Sequence, residues 1–470
     1  MKLDNKTQFF RSLQTPVDNI RSFHLYCRKS HRTWFRILKF LIFIVACIGL
    51  IGDLMDFISG HLWSRLLILA GFLLPAVLTF TEFAESYEKR FTIEESVPEI
   101  YEGVQPPAKG WERLDLRVQG RPEPVFRSNK ADLFLQSSTP IALERDKRYE
   151  KDLRRRIRDK ECWEKVFYPF LRHNYREAMY HGKQFYNEKK YGLSQPIDFA
   201  EKKAKVHKTC YYDTYLTNII PGKILKYNRD MNIAADACAP EFLPYREDTD
   251  GERRLYETGE TRTANELGVT TLMIMPNNYI RLWTQNRLSQ CSSGLFVASG
   301  SGSADWKDCK KFFGDPDGFR KAVICGMERE LWEESNGSRA NGFKSFSANV
   351  ETRITGYFRW LKKGGKSEFV GVSRLKDRSA VGNLSPEYSE VFPGKDLHAE
   401  TIKELIQSID REITLKDAVL ESDHCAVSCT MALYALRLLC VRYCADCRRR
   451  NNDRCPGEHC DKEPFHVLFE

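Results

Sequence analysis

At 470 residues the chain is too long for one compact domain and is sized for two or three. Its formal charge of +9 is unevenly spread, with the basic excess in the N-terminal arm and near residues 145–190. Fifteen cysteines without regular spacing, and no recognisable signal peptide, exclude a secreted disulfide scaffold and point to a reducing compartment.

The first predicted elements are apolar. Phe40–Gly52 and Leu66–Thr81 carry no charge, and each is a little shorter than the ~20 residues that span a bilayer. Extending the first to Ile37–Ile58 admits Lys39, which can snorkel, and Asp53 and Asp56 near the far interface. A cleaved signal sequence does not fit, because a long charged arm precedes the first segment and a second segment follows. A two-pass transmembrane hairpin over 37–81 is therefore expected, after a basic arm over 1–36. Lys2, Lys6, Arg11, Arg21, Arg28, Lys29, Arg32 and Arg36 precede the first span, whereas the connection holds only Arg65 at its edge. The positive-inside rule then puts both termini in the cytoplasm.

Residues 82–257 are polar. The stretches VQPPAKG and QGRPEP read as linker. The segment from Arg145 to Gly192 is helical in pattern, with a break expected at Pro169. It interleaves Arg and Lys with Tyr149, Trp163, Phe167, Tyr175, Tyr180 and Tyr186, a pattern that either grips a nucleotide or anionic headgroup or is a solvated helix face over an aromatic core stripe.

A compact α/β domain is expected over 258–440. GVTTLMIM and YIRLWTQN, separated by PNN, read as strand, turn and strand. Gly294–Cys309 follows as a short strand running into a glycine-serine loop. GFRKAVICGMERELWEES then reads as a helix with Ile324, Met327 and Leu331 as its buried stripe and Asn336–Gly337 as its end. Gly326 is expected to leave room for a ligand. Glu330, Glu333 and Glu334 fall within an arc of roughly 100° on this helix. Like charges so placed repel by a few tenths of a kcal/mol per pair when exposed, so a positive partner is expected in front of them.

The run Arg329-Glu330-Leu331-Trp332-Glu333-Glu334 resembles the second half of the Nudix box, G-x5-E-x7-R-E-U-x-E-E-x-G-U. The resemblance implies a Nudix-type α/β/α sandwich with a mixed sheet. It also implies that Glu330, Glu333 and Glu334 bind Mg²⁺ or Mn²⁺ while Arg329 orients a glutamate. A cation there would polarise a pyrophosphate and activate water. The sequence departs from the pattern in the first half: the glycine position holds Asp315, the early glutamate position holds Lys321, and the closing glycine is one place late. The family often adds a carboxylate from a later loop, which makes Glu387 and Glu390 further catalytic candidates.

The domain ends in CAVSCTMALYALRLLCV, read as a core helix. The tail over 441–470 holds Cys444, Cys447, Cys455 and Cys460 with His459, a set able to make a structural Zn²⁺ site or to remain as reduced thiols. A two-pass hairpin joined to a cytoplasmic Nudix domain resembles the membrane-anchored Nudix effectors encoded beside CD-NTases in bacterial CBASS antiphage systems. That resemblance implies an inner-membrane protein, a homo-oligomer, that answers a cyclic nucleotide messenger and acts on a nucleoside diphosphate derivative, ending in cell death or arrest. The alternatives are an inactive, nucleotide-sensing Nudix domain that triggers membrane disruption by the hairpin, and a membrane-tethered housekeeping pyrophosphohydrolase. Direct binding of duplex nucleic acid is not expected.

Overall fold

The computed structural model describes residues 91–95, 100–181, 185, 187–228, 230–261, 263–275, 279–286, 292–336, 342–375, 386, 388, 391–450 and 468–469. The expected hairpin over 37–81 and most of the cysteine tail lie outside them, as do Glu387 and Glu390.

The described residues divide into two compact units. The smaller includes Phe91–Glu94, the helix end from Arg172 and Leu225–Ala235. Its sheet runs Phe91–Glu95, Lys223–Tyr227, Ile233–Asp236, and the Phe91 and Tyr227 rings lie 4.8 Å apart.

The larger unit is a mixed α/β body built on a twelve-stranded mixed sheet. Strands are numbered here in chain order: β1 (Glu112–Val118), β2 (Val125–Arg127), β3 (Gly268–Met275), β4 (Tyr279–Gln285), β5 (Phe296–Val297), β6 (Gly300–Ser303), β7 (Val350–Trp360) and β8 (Lys366–Leu375). Strand β3 is buried along its whole length, as a central strand covered on both faces must be. It pairs in parallel with β8, from Gly268 opposite Glu368 to Ile274 opposite Arg374. Antiparallel pairing with β4 and β6 completes its other edge. Strands β7 and β8 form an antiparallel hairpin.

Side chains alternate across β3 and β8, so each strand serves two layers. Leu272, Ile274, Val370 and Val372 join a core with Cys429, Leu433, Leu436 and Cys440 of the C-terminal helix Val427–Arg450. Val269, Phe369 and Met327 meet on the other face, where helix Gly318–Asn336 also contributes Phe319, Ala322 and Val323. The C-terminal stretch Val427–Ala445 is long and apolar enough to cross a membrane, yet 56% of its most apolar window is buried against this body.

Several sequence expectations need correction. The glycine-serine segment is not a loop: it is strand β6, paired with Gly268–Thr271. QGRPEP is no linker: Gln119 and Gly120, at φ 51° and 73°, turn the chain, and Arg121–Pro122 pairs back on Arg117–Val118 before β2 begins. Pro169 does not break the helical stretch. It sits in the first turn of Tyr168–His181, where a missing N–H is tolerated, directly after a π-helical turn at Trp163–Phe167. The break falls instead at Arg158–Asp159, where Asp159 caps the next turn by accepting from the amides of Glu161 and Cys162. On Gly318–Asn336, Ile324 is only partly buried, and Phe319, Val323, Met327 and Leu331 carry the apolar stripe. No ligand space opens at Gly326. A methyl there would meet Ala304 Cβ at 3.4 Å and Val269 at 3.5 Å.

Candidate functional site

Helix Gly318–Asn336 approaches β6 very closely, and the alternating glycines of Gly-Ser-Gly-Ser are the reason. A Cβ at Gly300 would lie 2.5 Å from the Leu331 backbone nitrogen. A Cβ at Gly302 would lie 2.3 Å from the carboxyl carbon of Glu330. Ser301 and Ser303 occupy the intervening positions. The Ser301 amide donates to Glu334 at 3.0 Å, and the Ser303 hydroxyl donates to Glu266 at 2.8 Å.

Arg329 is the centre of the arrangement. Its buried guanidinium donates to Asp308 at 3.0 and 3.2 Å, to Glu333 at 2.8 Å and to the Ser303 carbonyl at 2.9 Å. It also pairs with Glu330 at 2.9 Å and lies 3.6 Å from Asp305. Only the planar five-donor fork of arginine can meet so many acceptors at once. The positive partner expected in front of the glutamates therefore includes the arginine of the same helix turn.

Two lysines extend the cluster. Lys190, from strand Lys189–Leu193, reaches Asp305 at 2.6 Å and Glu188 at 2.9 Å. Lys307 reaches Asp305 at 3.0 Å and Glu333 at 3.7 Å. Asp305, Asp308, Lys190, Lys307 and Glu188 were not singled out from the sequence. The one local signal was the spacing of Asp305 and Asp308 before a short helix, Trp306–Lys310, where the Asp305 amide donates to Asp308 at 2.8 Å. Lys190 and Glu188 lie more than a hundred residues away, so only the fold brings them in.

Electrostatics separates the three glutamates. Burial pushes Glu330 up to about 7, with Arg329 opposing the rise and Glu333 adding to it. Burial raises Glu333 as well, against the pull of Arg329 and Lys307. Burial would raise Asp305 too, but Lys190 and Arg329 outweigh it and hold this carboxyl below its usual range. The guanidinium of Arg329 is held charged: burial disfavours the charge, and Glu330, Asp308, Glu333 and Asp305 more than restore it.

Five carboxylates (Glu188, Asp305, Asp308, Glu330 and Glu333) thus share three cations (Lys190, Lys307 and Arg329), and Glu334 lies beside them on the Ser301 amide. The negative excess suits a divalent cation, but the geometry is not that of a cation cage. Arg329 takes Glu330 and Glu333, and Glu334 commits one oxygen to the Ser301 amide. Among the described residues no three Asp, Glu, His or Cys side chains gather where they could share a metal ion.

The two departures from the box pattern pair with each other. Lys321 donates to Asp315 at 2.6 Å, and Lys321 is exposed. Nine residues before Glu330, Lys321 lies about half a turn round the helix and roughly 13 Å along it. In the tail, Cys444 is partly buried at the end of the C-terminal helix, whereas Cys455, His459 and Cys460 and the side chain of Cys447 lie outside the described residues. No protein-family model matches the chain, and no curated protein is significantly similar to it.

Proposed function

We propose that the larger unit is a Nudix-type hydrolase domain of a membrane-anchored antiphage effector, cleaving a phosphoric anhydride in a nucleoside diphosphate derivative. The observation that carries the reading is the Arg329-centred cluster. An Arg-Glu-x-x-Glu-Glu run sits on a helix packed against one face of a mixed sheet, with a second helix on the other face. Finer assignment to an α/β/α Nudix sandwich belongs to the same proposal.

The residues divide the work as follows. Glu330, whose carboxyl burial raises above its usual range, takes a proton from an attacking water, since a raised carboxylate is the stronger base. Arg329 fixes its carboxylate, and Ser301 fixes Glu334. Lys307, Glu188 and Glu333 are the more exposed members, with side chains 65%, 45% and 37% exposed, and Lys307 is the cation among them that meets an incoming phosphate group. The membrane hairpin, the cytoplasmic setting, homo-oligomer formation, control by a cyclic nucleotide and a requirement for Mg²⁺ or Mn²⁺ enter as parts of this proposal, on the sequence resemblance. Glu387 and Glu390 remain proposed further carboxylates, and the tail thiols a proposed zinc site.

A second reading has its own support. Carboxylates that, among the described residues, meet on Arg329 and not on a shared metal position, together with Lys321 in place of a glutamate, favour a domain that binds a nucleotide without cleaving it and passes the signal to the hairpin. One experiment separates the two. Full-length protein in detergent is assayed with Mg²⁺ or Mn²⁺ against ADP-ribose, NAD and nucleoside triphosphates, beside a variant carrying Glu333→Gln and Glu334→Gln. Hydrolysis that falls by orders of magnitude in the variant supports the enzyme; equal activity in both removes these glutamates from it. No hydrolysis by either protein, with membrane depolarisation by both in cells making the messenger, supports the sensor.

A further inference from the structure

We propose that a basic cavity on helix Lys147–Ile157 is a second ligand site, separate from the glutamate cluster, that takes a soluble anion bearing several phosphate groups, as a cyclic oligonucleotide does. The cavity measures about 450 Å³, within the range of small-molecule sites. Arg145, Lys147, Lys151, Arg154, Arg155 and Arg158 line it, with Glu150 as the one carboxylate among them.

The sequence makes this stripe by helical spacing. Lys147, Lys151, Arg154, Arg155 and Arg158 recur at i, i+4, i+7, i+8 and i+11, which keeps them within about 100° of arc. Tyr149, Leu153 and Ile157 fill the opposite, buried side. The Tyr149 hydroxyl is turned inward to the Thr263 carbonyl at 3.0 Å, so this aromatic belongs to the core and not to a base-stacking platform. No aromatic residue lines the cavity, and a ligand is therefore held by its phosphates.

Glu150 gives the cavity a built geometry. Its buried carboxylate accepts from Arg145 at 3.0 Å and from Arg154 at 2.6 Å, which orients two guanidiniums, while Asp152 pairs with Arg155 at 3.4 Å at the edge of the stripe. The face of Trp306 holds Arg145 from another side, at 5.0 Å. At the neighbouring Lys208, burial and then Lys189 hold the ammonium below its usual value, with Glu150 opposing and Arg145 and Arg154 adding to the fall. Fixed guanidiniums match phosphate oxygens in pairs. The preference for several phosphates stands on the cavity alone; identifying the ligand as a messenger rests on the function proposed above.

The test is calorimetric titration of the full-length protein in detergent with inorganic tripolyphosphate, cyclic tri-adenylate and dihexanoyl phosphatidylglycerol. Lys151→Glu with Arg155→Glu alters two exposed residues, and the matching Gln pair guards against misfolding caused by the new charges. Wild type should bind tripolyphosphate and cyclic tri-adenylate in competition. The Glu pair should bind at least about ten-fold more weakly with unchanged thermal unfolding, and both pairs should weaken the dependence of affinity on salt, the Glu pair more than the Gln pair. Glu333→Gln with Glu334→Gln should bind tripolyphosphate as wild type does, so failure of the hydrolase reading leaves this result intact. Wild-type affinity in both pairs, no binding of tripolyphosphate, or a site filled by phosphatidylglycerol that tripolyphosphate cannot displace would overturn the proposal.

Discussion

Gly302 lies directly against the carboxylate of Glu330. A methyl group at Gly302 would come within 2.3 to 2.5 Å of three carboxyl atoms, whereas one at Gly300 would strike the Leu331 backbone at 2.5 and 2.6 Å. A side-chain end can swing aside, but a helix backbone cannot. Gly302→Ala should therefore cost less stability than Gly300→Ala, while displacing Glu330 from Arg329 and lowering the hydrolysis proposed above. Gly300→Ala should instead separate strand from helix and cost about 1–3 kcal/mol, as overpacking does. Urea unfolding and steady-state kinetics on both variants check the contrast; equal effects from the two would contradict it.

Arg329 offers a second test. Replacing it with Met leaves Asp308 and Glu330 buried without their cation, a loss of about 3–5 kcal/mol for breaking a buried pair. Lys retains charge but cannot serve Asp308, Glu333 and the Ser303 carbonyl together, so Arg329→Lys should be intermediate. Chemical denaturation at fixed pH gives the order, and a Lys variant as stable as wild type would mean that the fork geometry is unimportant.

Placing the glutamate of the Nudix-box pattern at position 321 should not build a metal site. The Lys321 side chain turns to Asp315, and its position is far round the helix from Glu330. Lys321→Glu should leave Mn²⁺ affinity, followed by electron paramagnetic resonance, unchanged. A marked gain would show that this end of the helix reaches the cluster after all.

His207 gives the larger unit an acid-sensitive point. Burial lowers its pKa to about 3 from 6.5, and Ser194 lies 3.2 Å from Nδ1. The folded state thus binds fewer protons than the unfolded one between these values. This contribution to stability is complete above pH 6.5 and is lost as pH falls, by up to about 1.4 kcal/mol per unit. Asp132 acts with the opposite sign, because burial, despite Arg127, raises it to about 6 from 3.8. Its contribution is present below 3.8 and lost as pH rises through 6. His207→Phe should remove the first slope and keep the second, so stability curves from pH 4 to 7 should diverge most at the acid end. Parallel curves would show that His207 is charged within the fold.

Local sequence determined much of the helix and strand content around the cluster. The apolar run Gly268–Met275 forms a strand, as expected, since β-branched and long apolar residues suit a fully buried central position. Helix Gly318–Asn336 was legible from its periodicity, and so was the shared face of Glu330, Glu333 and Glu334, because both follow from rotation per residue alone. The Gly-Ser-Gly-Ser segment was not legible. Glycine and serine signal turns locally, and only the demand of a helix backbone for close approach makes Gly300 and Gly302 strand residues.

What tertiary structure alone decided is which charges meet. The sequence put three glutamates on one turn and called for a cation. The fold answered with Arg329 from that same turn, Lys307 from a short helix and Lys190 from a distant strand. It also turned Lys321 away to Asp315 and closed the space at Gly326. Contacts between residues a few positions apart are set by helical geometry and can be read in advance. Contacts across a hundred or more residues depend on how sheet and helices pack, where burial sets both the cost of a charge and the partner that offsets it.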